Sequence, residues 1–210
     1  MKKKGLIRIL SACACVLLML TVFVSCNKET ATGEFDTSKT YYADIVIKDH
    51  GTISLILYDN TAPITVANFV KLANEGFYNG LTFHRIIEGF MMQGGDPKGD
   101  GTGNYTDENG KKVTIKGEFN SNGVVNNITH TRGVISMARG NDKNSASCQF
   151  FIVHEDSPHL NGDYAAFGLV TKGIEIVDKI CTEAKPVNNN GLIAKSEQPI
   201  IESITIRVEG

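Results

Sequence analysis

Short runs in which apolar and polar residues alternate make up most of the chain beyond residue 40. Ile53, Leu55 and Leu57, for example, are separated by single residues, which places all three on one face of an extended strand. A turn at residues 48–51 joins the first two runs into a hairpin. The pattern predicts eight strands, over residues 42–47, 52–58, 81–87, 90–93, 133–138, 149–153, 166–170 and 200–208.

Two segments have a helical period instead. Val66 and Phe69 begin an apolar stripe between Thr65, predicted as the N-cap, and Gly76, predicted as the end of a helix of about ten residues. A second short helix is predicted over residues 173–180. Many short strands with two helices favour an antiparallel barrel or sandwich over an alternating β-α sheet. We find no internal repeat and no second domain.

The first 25 residues have the organisation of a bacterial signal peptide. Three lysines and Arg8 precede an uncharged apolar stretch over residues 9–24, which is short for a membrane-spanning helix. Ser25-Cys26 and the residues before them resemble a lipobox, although Phe23 stands where Leu is usual. We therefore expect cleavage after residue 25 and lipidation of Cys26. An ordinary secretory signal with an incidental cysteine is the alternative.

Residues 26–40 are small and polar, which is the composition of a flexible linker. They predict a lipidated N-terminus that tethers a folded domain, residues 41–210, to a membrane of the bacterial cell envelope. The outer membrane is the expected site, with the domain on its periplasmic or surface face. Multiple acyl chains would hold such a protein firmly.

Composition and charge narrow the possible functions. The chain has 210 residues, 41% of them hydrophobic, and a net charge of −2. Removal of residues 1–25 takes away four basic residues and no acidic one, so the remaining protein is acidic. Because nucleic-acid binding depends on clustered Lys and Arg, we expect no nucleic-acid partner. Cys148 and Cys181, both in apolar surroundings, are predicted to be buried and inert, and a disulfide between them remains open. Nothing indicates a dimer, so a monomer is expected.

Several chemical motifs are missing. The chain has no phosphate-binding loop, no dinucleotide fingerprint and no Gly-x-Ser-x-Gly elbow. Residues 96–101 faintly resemble a calcium loop, but Lys98 stands where an oxygen ligand belongs. The five histidines have neither the paired spacing nor the cysteine neighbours of a zinc site. We therefore expect no metal and no cofactor, and predict residues 99–103 to be a flexible loop.

Arg85 is unusual, because strand alternation places it in line with the apolar residues Phe83 and Ile87. The segment from Phe83 to Asp96 resembles the cyclophilins, a family of prolyl cis-trans isomerases. Four further segments share this resemblance: Ile135-Ser136-Met137-Ala138, Ser147-Cys148-Gln149-Phe150-Phe151-Ile152, Leu160-Asn161-Gly162 and Phe167-Gly168. The resemblance runs from about residue 41 to residue 208. It implies a mainly β fold, a closed antiparallel eight-stranded barrel capped by two short helices.

The resemblance also implies roles for particular residues. The catalytic arginine of the family falls on Arg85, and its glutamine, which holds the substrate amide, on Gln93. The implied substrate-binding residues are Phe90, Met91, Ala138, Arg139, Gln149, Phe151, His159, Leu160 and Tyr164. His159 stands where many members have Trp, and Tyr164 where many have His. Arg139 replaces a usual Asn whose main chain makes the contact.

The chemistry needs no cofactor. An Xaa-Pro bond rotates over a barrier of about 18–20 kcal/mol because C–N resonance is lost in the twisted state. A guanidinium beside the prolyl nitrogen would stabilise that state more than the planar one. The expected partners are therefore unfolded or extended polypeptides containing proline. A tethered proline-peptide binding module or holdase with little catalysis is the alternative, and an accessory subunit whose barrel only mediates assembly is a third possibility.

Overall fold

The structure, a computed structural model, describes residues 39–209. All eight predicted strands and both predicted helices are present, with boundaries that differ by a few residues. The strands are β1 (Thr40–Ile47), β2 (Gly51–Leu57), β3 (Thr82–Ile87), β4 (Met91–Asp96), β5 (Val134–Met137), β6 (Phe150–Val153), β7 (Ala166–Lys172) and β8 (Ile201–Glu209). The helices are α1 (Pro63–Asn74) and α2 (Ile174–Glu183).

The eight strands form one curled antiparallel sheet, in the order β3-β4-β6-β5-β7-β2-β1-β8. The expected closed barrel is wrong, because within the described residues no ladder joins β3 to β8. A single bridge between Thr82 and Ile200 spans the gap. The segment before β8 occupies the edge of β3 instead, through the backbone bonds Ile86 N to Gly191 O and Phe83 N to Pro199 O. The sheet is thus an open half-barrel with an irregular seam.

Helix α1 packs against the main core of the half-barrel. Phe69 on its inner face is fully buried, and its ring lies 5.3–5.5 Å from the rings of Tyr78, Phe150 and Phe167. Such a cluster of aromatic side chains contributes a large share of the apolar area that the core buries. Helix α2 buries Val177, Ile180 and Cys181 in the same way.

The predicted N-cap of α1 is wrong. The helix begins at Pro63, so that Thr65 lies inside the first turn. The buried carboxylate of Glu118 accepts hydrogen bonds from Ile64 N at 3.0 Å and from Thr65 N and Thr65 Oγ1 at 2.7 Å each. A carboxylate that is distant in sequence therefore replaces the local N-cap. Its negative charge is also favourable at the positive end of the helix dipole. The predicted end at Gly76 is confirmed: the helix stops at Asn74 and Gly76 follows with a φ of +69°.

The residues before 39, which include the predicted signal, the lipidation site Cys26 and nearly all of the linker, lie outside the described residues. Among the residues that the structure does describe, no helix is long and apolar enough to cross a membrane.

Cys148 and Cys181 are both buried, as predicted, and both are free, so the disulfide that the sequence left open is not formed. Burial raises the pKa of Cys148 to about 11 and that of Cys181 to about 12. Since the thiolate is the reactive form, we expect neither thiol to react appreciably with a disulfide dye at pH 8, and labelling to accelerate only as the pH rises or the protein unfolds. The measurement is thiol titration of a Cys26→Ser variant lacking residues 1–25, with and without guanidinium. Rapid labelling of the native protein would contradict the expectation.

Candidate active site

The register of the sheet brings the predicted catalytic residues into one row. Arg85 on β3 lies opposite Gln93 on β4, and Gln93 lies opposite Phe151 on β6. Residues directly opposite one another on neighbouring strands project from the same face. The row therefore places a cation, an amide and an aromatic ring side by side on the outer face of the half-barrel.

A bulge in β3 determines which way Arg85 points. The ladder pairs Phe83 with Gly94 and Arg85 with Gln93, so that His84 is an extra residue. Phe83 consequently belongs to the interior core, where its ring meets that of Phe150. The prediction that Phe83, Arg85 and Ile87 share one side is therefore wrong for Phe83, because the bulge shifts the alternation by one residue.

An apolar cup of about 160 Å³ opens beside Arg85. It is lined by Arg85, Phe90, Met91, Gln93, Ala138, Arg139, Phe151, Leu160 and Tyr164. Met91, Phe151 and Leu160 also belong to a small hydrophobic cluster that is separate from the main core. A second apolar cluster on the outer face of a sheet that already covers a core indicates a binding surface.

Arg85 is held at the rim of this cup by several contacts. Its Nε donates to Asn190 O at 2.8 Å, and its Nη1 lies 3.3 Å from Gln93 Oε1 and 3.5 Å from Met91 Sδ. Its Cζ lies 5.8 Å from the centre of the Phe90 ring. Burial lowers the pKa of Arg85 from its ordinary value, yet a guanidinium remains charged at neutral pH. The cup is therefore flanked by a fixed, partly desolvated positive charge.

Two glutamine side chains continue this hydrogen-bonded arrangement away from the cup. Gln93 Nε2 donates to Gln149 Oε1 at 2.9 Å, and Gln149 Nε2 donates to Gly103 O at 2.8 Å. This chain fixes the orientation of both amides, and the Gln93 oxygen faces the arginine. The Gln93 amide is thereby held in a fixed orientation next to Arg85.

Nine of the eleven residues singled out in the sequence line the cup. The other two lie beside it. Gln149 contacts the cup through Gln93, and His159 is exposed with its ring 5.3 Å from that of Phe90. His159 and Tyr164 are the positions where this chain departs from the family pattern. Tyr164 lines the cup, and His159 lies next to it beside Phe90.

The faint resemblance of residues 96–101 to a calcium loop has a simple structural explanation. The buried carboxylate of Asp96 accepts hydrogen bonds from the backbone N–H groups of Lys98, Asp100 and Gly101. It is therefore occupied in holding a turn. Among residues 39–209, no group of three or more His, Cys, Asp and Glu side chains is arranged to hold a metal.

Two groups that support the candidate active site were not predicted from the sequence. His130 lies under the cup: its ring stacks on Phe151 at 6.0 Å, and its nitrogens bond Ser136 Oγ at 3.0 Å and Asn161 Oδ1 at 3.1 Å. Burial lowers the pKa of His130, so the ring is neutral at pH 7 and suits this apolar position. The backbone carbonyl of Asn190 was also missed, because it lies 105 residues along the chain from Arg85. No local pattern points to either residue.

Comparisons with known proteins agree on one class of enzyme for this fold. A family model described as "Cyclophilin type peptidyl-prolyl cis-trans isomerase/CLD" matches residues 42–207. The chain is 51% identical to a Bacillus subtilis peptidyl-prolyl cis-trans isomerase B over 137 residues, 65% of this chain and 87% of that protein. It is 43% identical to a peptidyl-prolyl cis-trans isomerase of Helicobacter pylori over 149 residues, 70% of this chain and 84% of that one.

Solved structures agree with these relatives. A cyclophilin-type isomerase of Cryptosporidium parvum superposes with a TM-score of 0.68 at 27% identity, covering 80% of this chain and 98% of that chain. The same protein in the presence of the dipeptide Ala-Pro gives a TM-score of 0.67 at 28% identity, over 79% and 98%. The chain belongs to the cyclophilin family of peptidyl-prolyl cis-trans isomerases, as its sequence pattern predicted, and the reaction that it catalyses is the cis-trans isomerisation of Xaa-Pro bonds.

Proposed function

We propose that Arg85 accelerates the rotation by stabilising the twisted amide, while the apolar cup holds the prolyl ring. When the bond twists, the lone pair of the prolyl nitrogen leaves conjugation with the carbonyl, and the nitrogen becomes pyramidal and basic. A guanidinium N–H directed at that nitrogen stabilises the twisted state more than the planar state, in which the lone pair is delocalised. No bond is made or broken, so positioned charge and shape are sufficient.

The placement of Arg85 is the observation that supports this proposal most strongly. Its Nε is bonded to Asn190 O and its Nη1 faces Gln93, which orients the guanidinium along the rim of the cup. Phe90, Met91 and Phe151 form walls against which a pyrrolidine ring can be held while the preceding carbonyl turns. Gln93 would hold that carbonyl or its neighbour. The relative solved with Ala-Pro supports proline peptides as the ligand of this cup.

Catalysis and simple binding are separated by exchange NMR on a proline peptide mixed with the protein. The proposal requires faster cis-trans exchange at substoichiometric protein. Line broadening or shift changes with no faster exchange would instead support a binding module or holdase. A partner chain occupying the cup in the purified protein would support the accessory-subunit alternative.

The Asn190 carbonyl provides a second test of the role of Arg85. The Oδ1 atom of Asn188 accepts from Asn190 N at 3.0 Å and from Leu192 N at 3.2 Å, and so fixes the turn that presents this carbonyl. We expect Asn188→Ala to lower kcat by about tenfold with little change in KM, because Arg85 loses its fixed orientation. The measurement is steady-state isomerisation of an Ala-Pro peptide.

Asn188→Asp retains an acceptor oxygen at this position, and we expect it to keep most of the activity. In an Arg85→Ala background, Asn188→Ala should have no further effect on kcat. An equal loss in both backgrounds would mean that the turn matters only for the fold.

We further propose that the isomerase acts outside the cytoplasm, on chains that are still folding, while attached to a membrane through Cys26. Support comes from the signal-like residues 1–25, the Ser25-Cys26 junction and the polar composition of residues 26–40. Expressed in a bacterium, the protein should fractionate with membranes and incorporate labelled palmitate, whereas Cys26→Ser should do neither. Palmitate on the Cys26→Ser protein, or a wild-type protein found only in the soluble fraction, would overturn this proposal.

A further inference from the structure

A histidine that directly follows β6 holds the turn between β3 and β4. The Nδ1 atom of His154 accepts from Gly89 N at 2.9 Å, and His154 N donates to Phe90 O at 2.8 Å. Gly89 and Phe90 are the last two residues of the turn, and Met91 begins β4 directly after them. A single residue therefore binds the backbone at both ends of the Gly89-Phe90 pair.

This pair carries one wall of the proline cup. Phe90 lines the cup, and the centre of its ring lies 5.8 Å from Arg85 Cζ. Gly89 is exposed and has a φ of +74°, a conformation that glycine adopts without strain. His154 does not itself line the cup. Its two bonds to the turn are nevertheless placed to determine where the Phe90 ring lies.

The direction of one of these bonds determines the protonation state of the imidazole ring. A backbone N–H group can only donate, so Nδ1 of His154 is the acceptor and carries no proton. In the neutral ring the proton is then on Nε2. A protonated ring carries an N–H group at both nitrogens and cannot accept. Protonation of His154 therefore breaks the bond to Gly89 N and leaves two N–H groups facing each other.

Charged groups surround the imidazole ring on both sides. Asp178 on α2 has its Oδ1 atom 3.6 Å from the ring Nε2 and favours the protonated ring, whereas Arg132 binds the same carboxylate and reduces this effect. On the other side, Glu155 Oε2 lies near Gly89, and Glu88 belongs to the turn. The bond to Gly89 needs the neutral ring and the carboxylates favour the charged one, so these interactions compete as the pH falls.

We propose that His154 is a positioning residue for Phe90 and that its protonation switches the isomerase to a less active form. The inference rests on the proposed role of the cup, since the turn acts on catalysis through the Phe90 wall. The isomerisation transfers no proton, and Arg85 stays charged, so the reaction itself should not depend on pH between about pH 8 and pH 5. A fall in activity within that range therefore reports a titrating group outside the reaction.

The test measures kcat/KM of the full chain in detergent on an uncharged Ala-Pro peptide by exchange NMR, between about pH 8 and pH 5. At the upper pH, His154→Ala should lower kcat/KM by about tenfold, because a small displacement of a positioned group is costly. Wild-type activity should fall towards the level of His154→Ala as the pH decreases. The amide proton of Gly89 should shift upfield over the same range, since its hydrogen bond is lost.

His154→Asn provides the matched control. The Oδ1 atom of asparagine is attached at the same point of the side chain as Nδ1, can accept from Gly89 N and does not titrate in this range. We expect this variant to keep most of the activity and to have a flat pH profile. Asp178→Asn tests the sign of the effect: it removes a carboxylate that favours the charged ring, so the fall in activity should move to lower pH.

A flat wild-type profile with an unchanged Gly89 amide shift would overturn the switch, and full activity in His154→Ala would overturn the positioning role. A fall that persists in His154→Asn would assign the titration to another group, such as the exposed His159 beside Phe90, and would also overturn the proposal. In each case the wild type would still accelerate isomerisation at the upper pH. Failure to accelerate any proline peptide there would instead remove the proposed function.

Discussion

Arg85→Ala should lower kcat/KM on an Ala-Pro peptide by about 10²-fold to 10³-fold, the loss typical when one preorganised donor to a transition state is removed. The alanine leaves the apolar cup in place but presents no N–H group to the prolyl nitrogen. Because Arg85 is half-buried at the rim and belongs to no core cluster, the fold should survive. Exchange NMR measures the rate, and thermal unfolding checks the fold.

Arg85→Lys separates charge from geometry. Lysine keeps the positive charge but cannot bond Asn190 O and face Gln93 with one planar fork, so we expect an activity between those of wild type and Arg85→Ala. Near-complete activity in Arg85→Ala, with the fold intact, would show that the cup alone accounts for the acceleration and would remove Arg85 from the mechanism.

Glu118→Ala should destabilise the protein by about 3 kcal/mol, because two buried donors on Thr65 and one partly buried donor, Ile64 N, lose the carboxylate that accepts from them. Glu118 is 2% exposed, and its two oxygens accept from Ile64 N, Thr65 N and Thr65 Oγ1. Water does not reach these donors as readily as it would at a surface helix. Urea unfolding, followed by circular dichroism, gives the change in free energy.

Glu118→Gln retains one acceptor oxygen and should cost about half as much. Glu108→Ala, at an exposed glutamate, is the control and should stay within about 0.5 kcal/mol of wild type. An unchanged urea midpoint for Glu118→Ala would show that the first turn of α1 needs no cap from this residue.

Strand and helix positions were predictable from the sequence because burial follows local periodicity. Examples are the apolar faces of α1 and α2 and the alternation in β1 and β2. Each of these patterns is complete within a dozen residues. The predictions failed where a distant residue or a single extra residue decides the local structure. Glu118 caps a helix 53 residues away, and the bulge at His84 shifts the face of Phe83.

The site was also predictable in part. The family resemblance identified Arg85 and the residues of its cup, and the register of β3, β4 and β6 brings them together. The resemblance could not identify the Asn190 carbonyl, because every residue has a backbone carbonyl and the residue type does not show which one makes a contact. The hydrogen bonds that hold residues 101–103 were also hidden, since a run of glycines is typical of mobile loops unless a distant side chain, here that of Gln149, binds it.

The irregular seam of the half-barrel has a consequence for how the enzyme handles its clients. Unfolded polypeptides readily add as an extra strand to a bare sheet edge, and such additions can seed aggregates. The segment leading into β8 already hydrogen-bonds along β3, at Phe83 and Ile86, beside Arg85. The amide groups of Phe83 and Ile86 are therefore already bonded within the protein, and a passing chain cannot add an extra strand at these positions.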